Sequence, residues 1–301
     1  MVASATATAL RLRGLRAETI AVGAWRVRVW RGGRPEGEPW ILLHGMGATA
    51  ATFLPMIAAL RDDCDLVLPE LSSNGGTLGP HAAIGVAEGV AVVSELLPRL
   101  FGDRPVTLAG VSLGGWIAVR AALGHPERAA RLLLVVPGGY RDQDWRRIES
   151  MVRIETLADA RPMWEALFTD PPWYLRPARY GFYLLYRTPT VADVIATVSE
   201  ADAFGDADLA RLAMPVGLVW GANDTLFRRE VGERMARALP RCFLRVIAGA
   251  GHGVQWQKPR EFLAALADFR AEFPLPVDRG ERKIPGSLRA RGGPTWQPPT
   301  T

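Results

Sequence analysis

The chain has 301 residues, 49% of them apolar and 22% charged, a composition that can bury a sizeable core and excludes disorder as the default state. Its net charge of +5 is concentrated at the two ends: residues 278–301 carry +3, and Arg11, Arg13, Arg16 and Glu18 together carry +2, so the neutral body lacks the basic stripe that a nucleic-acid partner requires. Residues 1–20 mix Ala, Thr and Arg without a continuous apolar run, and no stretch reaches the roughly 18 apolar residues of a membrane span, so the expectation is a soluble, cytoplasmic protein without a leader.

Residues 19–22 and 25–30 read as an opening hairpin that turns at Gly23-Ala24. Short apolar runs follow at 40–43, 65–68, 106–109, 132–136, 216–220 and 243–247, the pattern of strands buried on both faces. Helical periodicity falls between them, at 51–60, 84–100, 113–123, 229–239 and 260–273. Pro98 lies near the end of the second of these, where a helix can stop. This alternation predicts an α/β fold, a mostly parallel sheet of eight strands covered by helices.

One interval breaks the rhythm. About eighty residues separate the strands at 132–136 and 216–220, far more than one crossover helix needs. Residues 138–205 hold eleven of the 25 aromatic residues, among them Trp145, Trp164, Trp173, Tyr174, Tyr183 and Tyr186. We expect an inserted helical cap that has its own core and walls an apolar pocket. The core is then split into residues 1–137 and 206–273, and the Pro-, Gly- and Arg-rich residues 274–301 form a disordered tail. Cys64 and Cys242 sit in or beside apolar runs and read as free core residues, not a disulfide framework.

Gly110-Val111-Ser112-Leu113-Gly114-Gly115 follows one strand and opens one helix. A serine in so sharp a strand-to-helix turn projects its hydroxyl above the sheet edge, and the close approach of strand and helix demands small residues two positions either side. The helix N-terminus adds free N–H groups and a field that favours negative charge. Trp40-Ile41-Leu42-Leu43-His44-Gly45-Met46-Gly47 is a strand entering a glycine-rich loop. In acyl transfer two backbone N–H groups must face the oxygen that gains charge, and the candidates are Met46 and Leu113. His44, at the strand end, reads as a brace for that loop.

Of four histidines, His81 lies in a Gly/Pro-rich loop and His125 precedes Pro126 at a helix end. His252 follows the last strand in Ala248-Gly249-Ala250-Gly251-His252-Gly253, at the strand ends where open α/β sheets place their chemistry. It is the candidate base for Ser112. The carboxylate that orients it is Asp224, directly after the strand at 216–220, with Asp142 as the rival.

His44-Gly45-Met46-Gly47, Gly110-Val111-Ser112-Leu113-Gly114-Gly115, Gly221-Ala222-Asn223-Asp224 and Gly251-His252, in this order, resemble the α/β-hydrolase fold enzymes with a cap between strands six and seven. The resemblance covers residues 19–273. It implies a cofactor-free, metal-free, esterase-like serine hydrolase acting on a small apolar ester or acyl substrate, with Ser112, Asp224 and His252 as the triad and Met46 and Leu113 as oxyanion donors. Haloalkane dehalogenases and epoxide hydrolases share the fold but use an aspartate nucleophile. Val136-Pro137-Gly138-Gly139 and Gly251-His252-Gly253-Val254-Gln255-Trp256 are also similar to segments of the C–C bond hydrolases of ring-cleavage products. That subgroup has Trp where this chain has Gly253, and a longer oxyanion-loop signature. For it, Arg176, Arg179 and Arg187 are the candidate receivers of a substrate carboxylate. A third reading is a ligand-binding protein on a hydrolase scaffold. Glu70, where many relatives have Asp, has no reading in the sequence.

Overall fold

A computed structural model describes residues 2–141, 143–171, 173 and 178–275. Eight strands form one sheet: β1 (Arg16–Val22), β2 (Trp25–Gly33), β3 (Glu38–Leu43), β4 (Cys64–Pro69), β5 (Val106–Val111), β6 (Ala129–Val135), β7 (Val216–Gly221) and β8 (Cys242–Ile247). Their order is β1-β2-β4-β3-β5-β6-β7-β8. β2 runs antiparallel to both β1 and β4, and every other pair is parallel. β4, β5 and β7 are buried at every position, which is why their sequences are apolar without alternation. The edge strand β8 mixes buried and half-exposed positions and exposes Arg245.

Core helices cover the sheet: α1 (Val2–Leu12), α2 (Leu54–Leu60), α3 (Val86–Phe101) and α4 (Leu113–Gly124). Between β6 and β7 come α5 (Trp145–Val152), α6 (Ala160–Leu167), α7 (Ala178–Tyr186) and α8 (Pro189–Thr197). The chain returns to the sheet through α9 (Asp206–Leu209), α10 (Arg229–Ala238) joins β7 to β8, and α11 (Val254–Gln257) and α12 (Pro259–Glu272) follow β8. α3 buries Val86, Gly89, Val92, Val93, Leu96 and Leu97, the helical spacing visible in the sequence. Gly89 lets it close on α4, since a Cβ there would sit 2.6 Å from Ile117 Cδ1.

α3 ends at Phe101, one residue past the expected limit at 100, with Pro98 in its last turn, where proline removes a single ladder hydrogen bond and Gly102 N–H donates to the Pro98 carbonyl at 3.1 Å. An element also lies where none was expected: α1 buries Leu10 completely and places Arg11 over the Trp30 ring at 5.8 Å. Residues 276–301, including most of the expected tail, lie outside the described residues, as do Asp142, Tyr174 and Arg176. Both cysteines are free, and burial pushes the Cys64 thiol up to about 11 and Cys242 to about 12. Among the described residues no helix is long and apolar enough to cross a membrane.

The amino-terminal edge of the parallel strands is locked by Arg131. It is buried, forms an ion pair with Glu38, donates to Thr107 Oγ1 and to the Phe273 carbonyl, and stacks its guanidinium 5.5 Å from both the Trp40 and Phe269 rings. Trp40, Thr107 and Arg131 are register partners across β3, β5 and β6. This polar knot therefore braces the edge opposite to the one where Ser112 emerges.

Candidate active site

Ser112 stands between the last residue of β5 and the first of α4, with φ +52° and ψ −113°. A non-glycine residue pays for such a backbone with roughly 1–3 kcal/mol, so the surroundings must enforce it. Ser112 N–H donates to the Val135 carbonyl at 3.0 Å, and its own carbonyl accepts from Trp116 N–H at 3.1 Å and Gly138 N–H at 3.0 Å. Close approach explains the flanking glycines. A Cβ on Gly110 would lie 2.3 Å from the Gly114 carbonyl carbon, one on Gly114 1.9 Å from the Leu43 oxygen, and one on Gly115 2.8 Å from Pro137 Cβ. Val136, immediately after β6, is a second left-handed residue beside the turn, with φ +42°.

The loop after β3 abuts this turn, since a Cβ on Gly45 would touch Ser112 Cβ at 3.4 Å. Leu71 N–H donates to His44 Nε2 at 2.8 Å, which puts the ring proton on Nδ1, facing the Gly45 carbonyl at 2.9 Å. His44 is thus spent on backbone groups. Beneath it lies Glu70, fully buried, accepting from Trp30 Nε1 at 2.9 Å and from Ala50 N–H at 3.0 Å, with Oε2 3.5 Å from His44 Nε2. Glu70 thereby ties β2 to Ala50, at the far end of the segment that carries Met46. Nothing in the sequence distinguished it from a surface acid except its place at the end of an apolar strand.

Asp224 lies in the loop after β7 and His252 in the loop after β8; both are buried, with His252 Nδ1 2.8 Å from Asp224 Oδ2. The other carboxylate oxygen accepts from Leu226 N–H at 2.8 Å and Phe227 N–H at 2.9 Å. The Phe227 ring meets the imidazole edge-on, 4.9 Å between centroids and 87° between planes. The last turn of α6 leaves carbonyls without helical partners, and the histidine loop takes two of them. His252 N–H donates to the Ala166 carbonyl at 3.2 Å, and Gly253 N–H to the Leu167 carbonyl at 2.7 Å. A Cβ at Gly253 would fall 2.6 Å from Phe168 Cε1, so any larger residue there has to displace the Phe168 ring. The rival acid, Asp142, is outside the described residues.

Ser112 and His252 open onto one cavity of about 1100 Å³, whose wall also holds Met46 and Leu113. His81 packs near Trp25 and His125 ends α4; neither lines the cavity. Leu113 is the first residue of its helix, where N–H groups have no intrahelical acceptor. With Nδ1 held by Asp224, Nε2 is the imidazole nitrogen left for chemistry. The inserted helices give the cavity its aromatic wall: Trp164 stands 4.7 Å from Phe168 and 5.7 Å from Phe182, and Phe182 stacks on Tyr186 at 4.2 Å. Burial pushes the Tyr186 phenol well above its ordinary value. Val191 of α8 comes within 3.2 Å of where a Gly47 Cβ would be, so the insertion rests directly on the loop of Met46.

Among the described residues, Glu149 is the one carboxylate in the cavity wall, and no Arg or Lys lines it. Arg179 and Arg187 lie elsewhere on α7 and just after it; Arg187 donates to the Tyr183 hydroxyl at 3.0 Å. Nor do the described residues contain a group of three side chains able to hold a metal ion.

Residues 40–266 match the family model described as the alpha/beta hydrolase family. The chain is 23% identical over 263 residues to monoacylglycerol lipase ABHD6 of Bos taurus, covering 79% of this chain and 77% of that one. Among solved structures it is similar to a carboxylesterase from Bacillus subtilis, with TM-score 0.74 at 17% identity over 90% of this chain and 99% of the other. It is also similar to 2-hydroxy-6-oxo-6-phenylhexa-2,4-dienoate hydrolase from Rhodococcus, with TM-score 0.73 at 20% identity over 85% and 99%. At such identities the structural likeness speaks for the fold. With a family match across most of its length, a sheet in the order given above and a serine at the turn between β5 and α4, the chain belongs to the alpha/beta hydrolase family.

Proposed function

We propose that the protein is a serine hydrolase that cleaves carboxylic esters with an apolar portion through an acyl-enzyme on Ser112. The observation that carries this reading is the His252–Asp224 pair, 2.8 Å apart, whose imidazole opens onto the same apolar cavity as Ser112. His252 takes the Ser112 proton as the hydroxyl attacks the ester carbonyl, and the oxyanion settles on the Met46 and Leu113 N–H groups. His252 then protonates the departing alcohol, and water releases the acyl group by the same route. Asp224 holds the imidazole in the tautomer that leaves Nε2 free to accept.

In this reading residues 138–205 act as a cap over a core formed by residues 1–137 and 206–273, and their aromatic wall receives the apolar part of the ester. C–C bond hydrolysis of a ring-cleavage acid fits less well. Such a substrate brings a carboxylate into the cavity, where the described wall offers Glu149 and no basic side chain. A fluorophosphonate probe tests the assignment: it should label the protein, and Ser112→Ala should abolish labelling together with hydrolysis of p-nitrophenyl esters. Labelling that persists in the variant removes Ser112 from the mechanism.

A further inference from the structure

The geometry points to a polar anchor in this otherwise apolar cavity: Gln255 hydrogen-bonds a free hydroxyl on the alcohol portion of the ester. The inference rests on the ester-hydrolase reading and narrows its substrate class.

α11 carries two buried glutamines with opposite fates. Gln257 is fully engaged, its Oε1 accepting from Gly251 N–H at 2.7 Å and its Nε2 donating to the Thr169 carbonyl. It serves the histidine loop. Gln255 is as deeply buried, at 4% exposure, yet its Oε1 has no hydrogen-bond partner. A buried amide oxygen left unpaired forfeits its hydration without return. An apolar residue would fill the position at lower cost if packing were its whole role. Gln255 also lines the cavity that holds Ser112 and His252.

Its place in the sequence says which part of the substrate it meets. Gln255 follows His252 by three residues, in the short helix that the histidine loop enters. The base returns its proton to the leaving alcohol, so the wall built by His252 and α11 faces the alcohol side of the ester. A hydroxyl suits the position for a further reason. The amide can turn about its last torsion and present either Oε1 or Nε2, and a hydroxyl both donates and accepts. The amide oxygen is unpaired before binding, so an alkyl ester leaves it as it is whereas a hydroxyl supplies the missing hydrogen bond, and that gain is what separates the two substrates.

The test uses two esters that differ only in this group, hydroxyethyl octanoate and propyl octanoate, assayed on the full-length protein and on Gln255→Met and Gln255→Leu. The wild type should favour the hydroxyethyl ester by roughly five- to ten-fold in kcat/KM, the worth of one neutral hydrogen bond. Both variants should bring the ratio close to one, with Tm equal to or above that of the wild type, since an unpaired buried group has been removed. A wild-type ratio near one overturns the proposal, as does the same preference in wild type and variants. So does a variant that loses Tm and turns over both esters equally poorly, the signature of a structural role. Absence of Ser112-dependent turnover of either ester overturns the ester reading itself, and the proposal with it.

Discussion

Asp224→Asn is the substitution whose outcome the geometry constrains most tightly. Asp224 Oδ1 accepts two backbone N–H groups, from Leu226 at 2.8 Å and Phe227 at 2.9 Å, while Oδ2 faces His252 Nδ1. An asparagine has one oxygen to place. Turning its NH₂ toward the two N–H groups forfeits two buried hydrogen bonds, whereas turning it toward the imidazole forfeits one. The oxygen therefore stays with Leu226 and Phe227, and the NH₂ faces Nδ1. Two donors cannot share that gap, so the ring proton moves to Nε2, the nitrogen that should receive the Ser112 proton. The fold survives while the base is switched off, and kcat should fall by about four orders of magnitude, roughly 5.5 kcal/mol of barrier. The assay is kcat on a p-nitrophenyl ester against a Ser112→Ala blank prepared in parallel, with circular dichroism to establish folding. Asp142→Asn, the rival position, should keep near wild-type kcat. A folded Asp224→Asn enzyme retaining more than a tenth of wild-type kcat would refute the assignment, and a collapse in Asp142→Asn would transfer the role.

Two further substitutions probe how the site is held. Gly114→Ala places a Cβ 1.9 Å from the Leu43 carbonyl oxygen, so backbone must move; a loss of roughly 3 kcal/mol and a fall in Tm of roughly 5–10 °C are expected. Gly124→Ala, at the far end of the same helix with nothing within 4 Å, should leave Tm unchanged or slightly raised; equal Tm values for the two variants would contradict the close-approach argument. Glu70→Gln sets an NH₂ against either Trp30 Nε1–H or Ala50 N–H, at a cost of roughly 2–3 kcal/mol in urea unfolding. It should also lower kcat about ten-fold as the Met46 loop loosens, and an unperturbed unfolding midpoint would show that Glu70 does not hold the loop.

Much of this architecture is legible in the residues because it follows from short-range rules. The strands β3 to β7 coincide with apolar runs, since a strand covered on both faces admits few polar residues. α4 coincides with its motif because Gly110, Gly114 and Gly115 are dictated by contact distances that allow no alternative. α1 was not legible: its Ala- and Thr-rich sequence has a single large anchor, Leu10, too little to mark an amphipathic face. The inserted helices were expected as a group, but their limits were not, because their apolar residues serve both a helix core and a cavity wall and so blur the period. Glu70 and Gln255 escaped for another reason. Their significance lies in what surrounds them, a pair of N–H donors for one and the absence of any partner for the other, and neither condition leaves a trace in the local sequence.

The two sides of the site are secured differently. The Ser112 turn is fixed from within the sheet, by Val135, Leu43 and Pro137, contacts that belong to strands and their ends. The His252 loop hangs on the carbonyls of Ala166 and Leu167 at the end of α6, within the insertion. α7 and α8 touch the Ser112 side instead, where Leu185, Tyr186 and Val191 approach Gly47 and Asn74 donates to Thr190. Trp164 of α6 packs against Phe182 of α7 at 5.7 Å, so the helix that holds the His252 loop and those that rest on the Met46 loop are packed on one another.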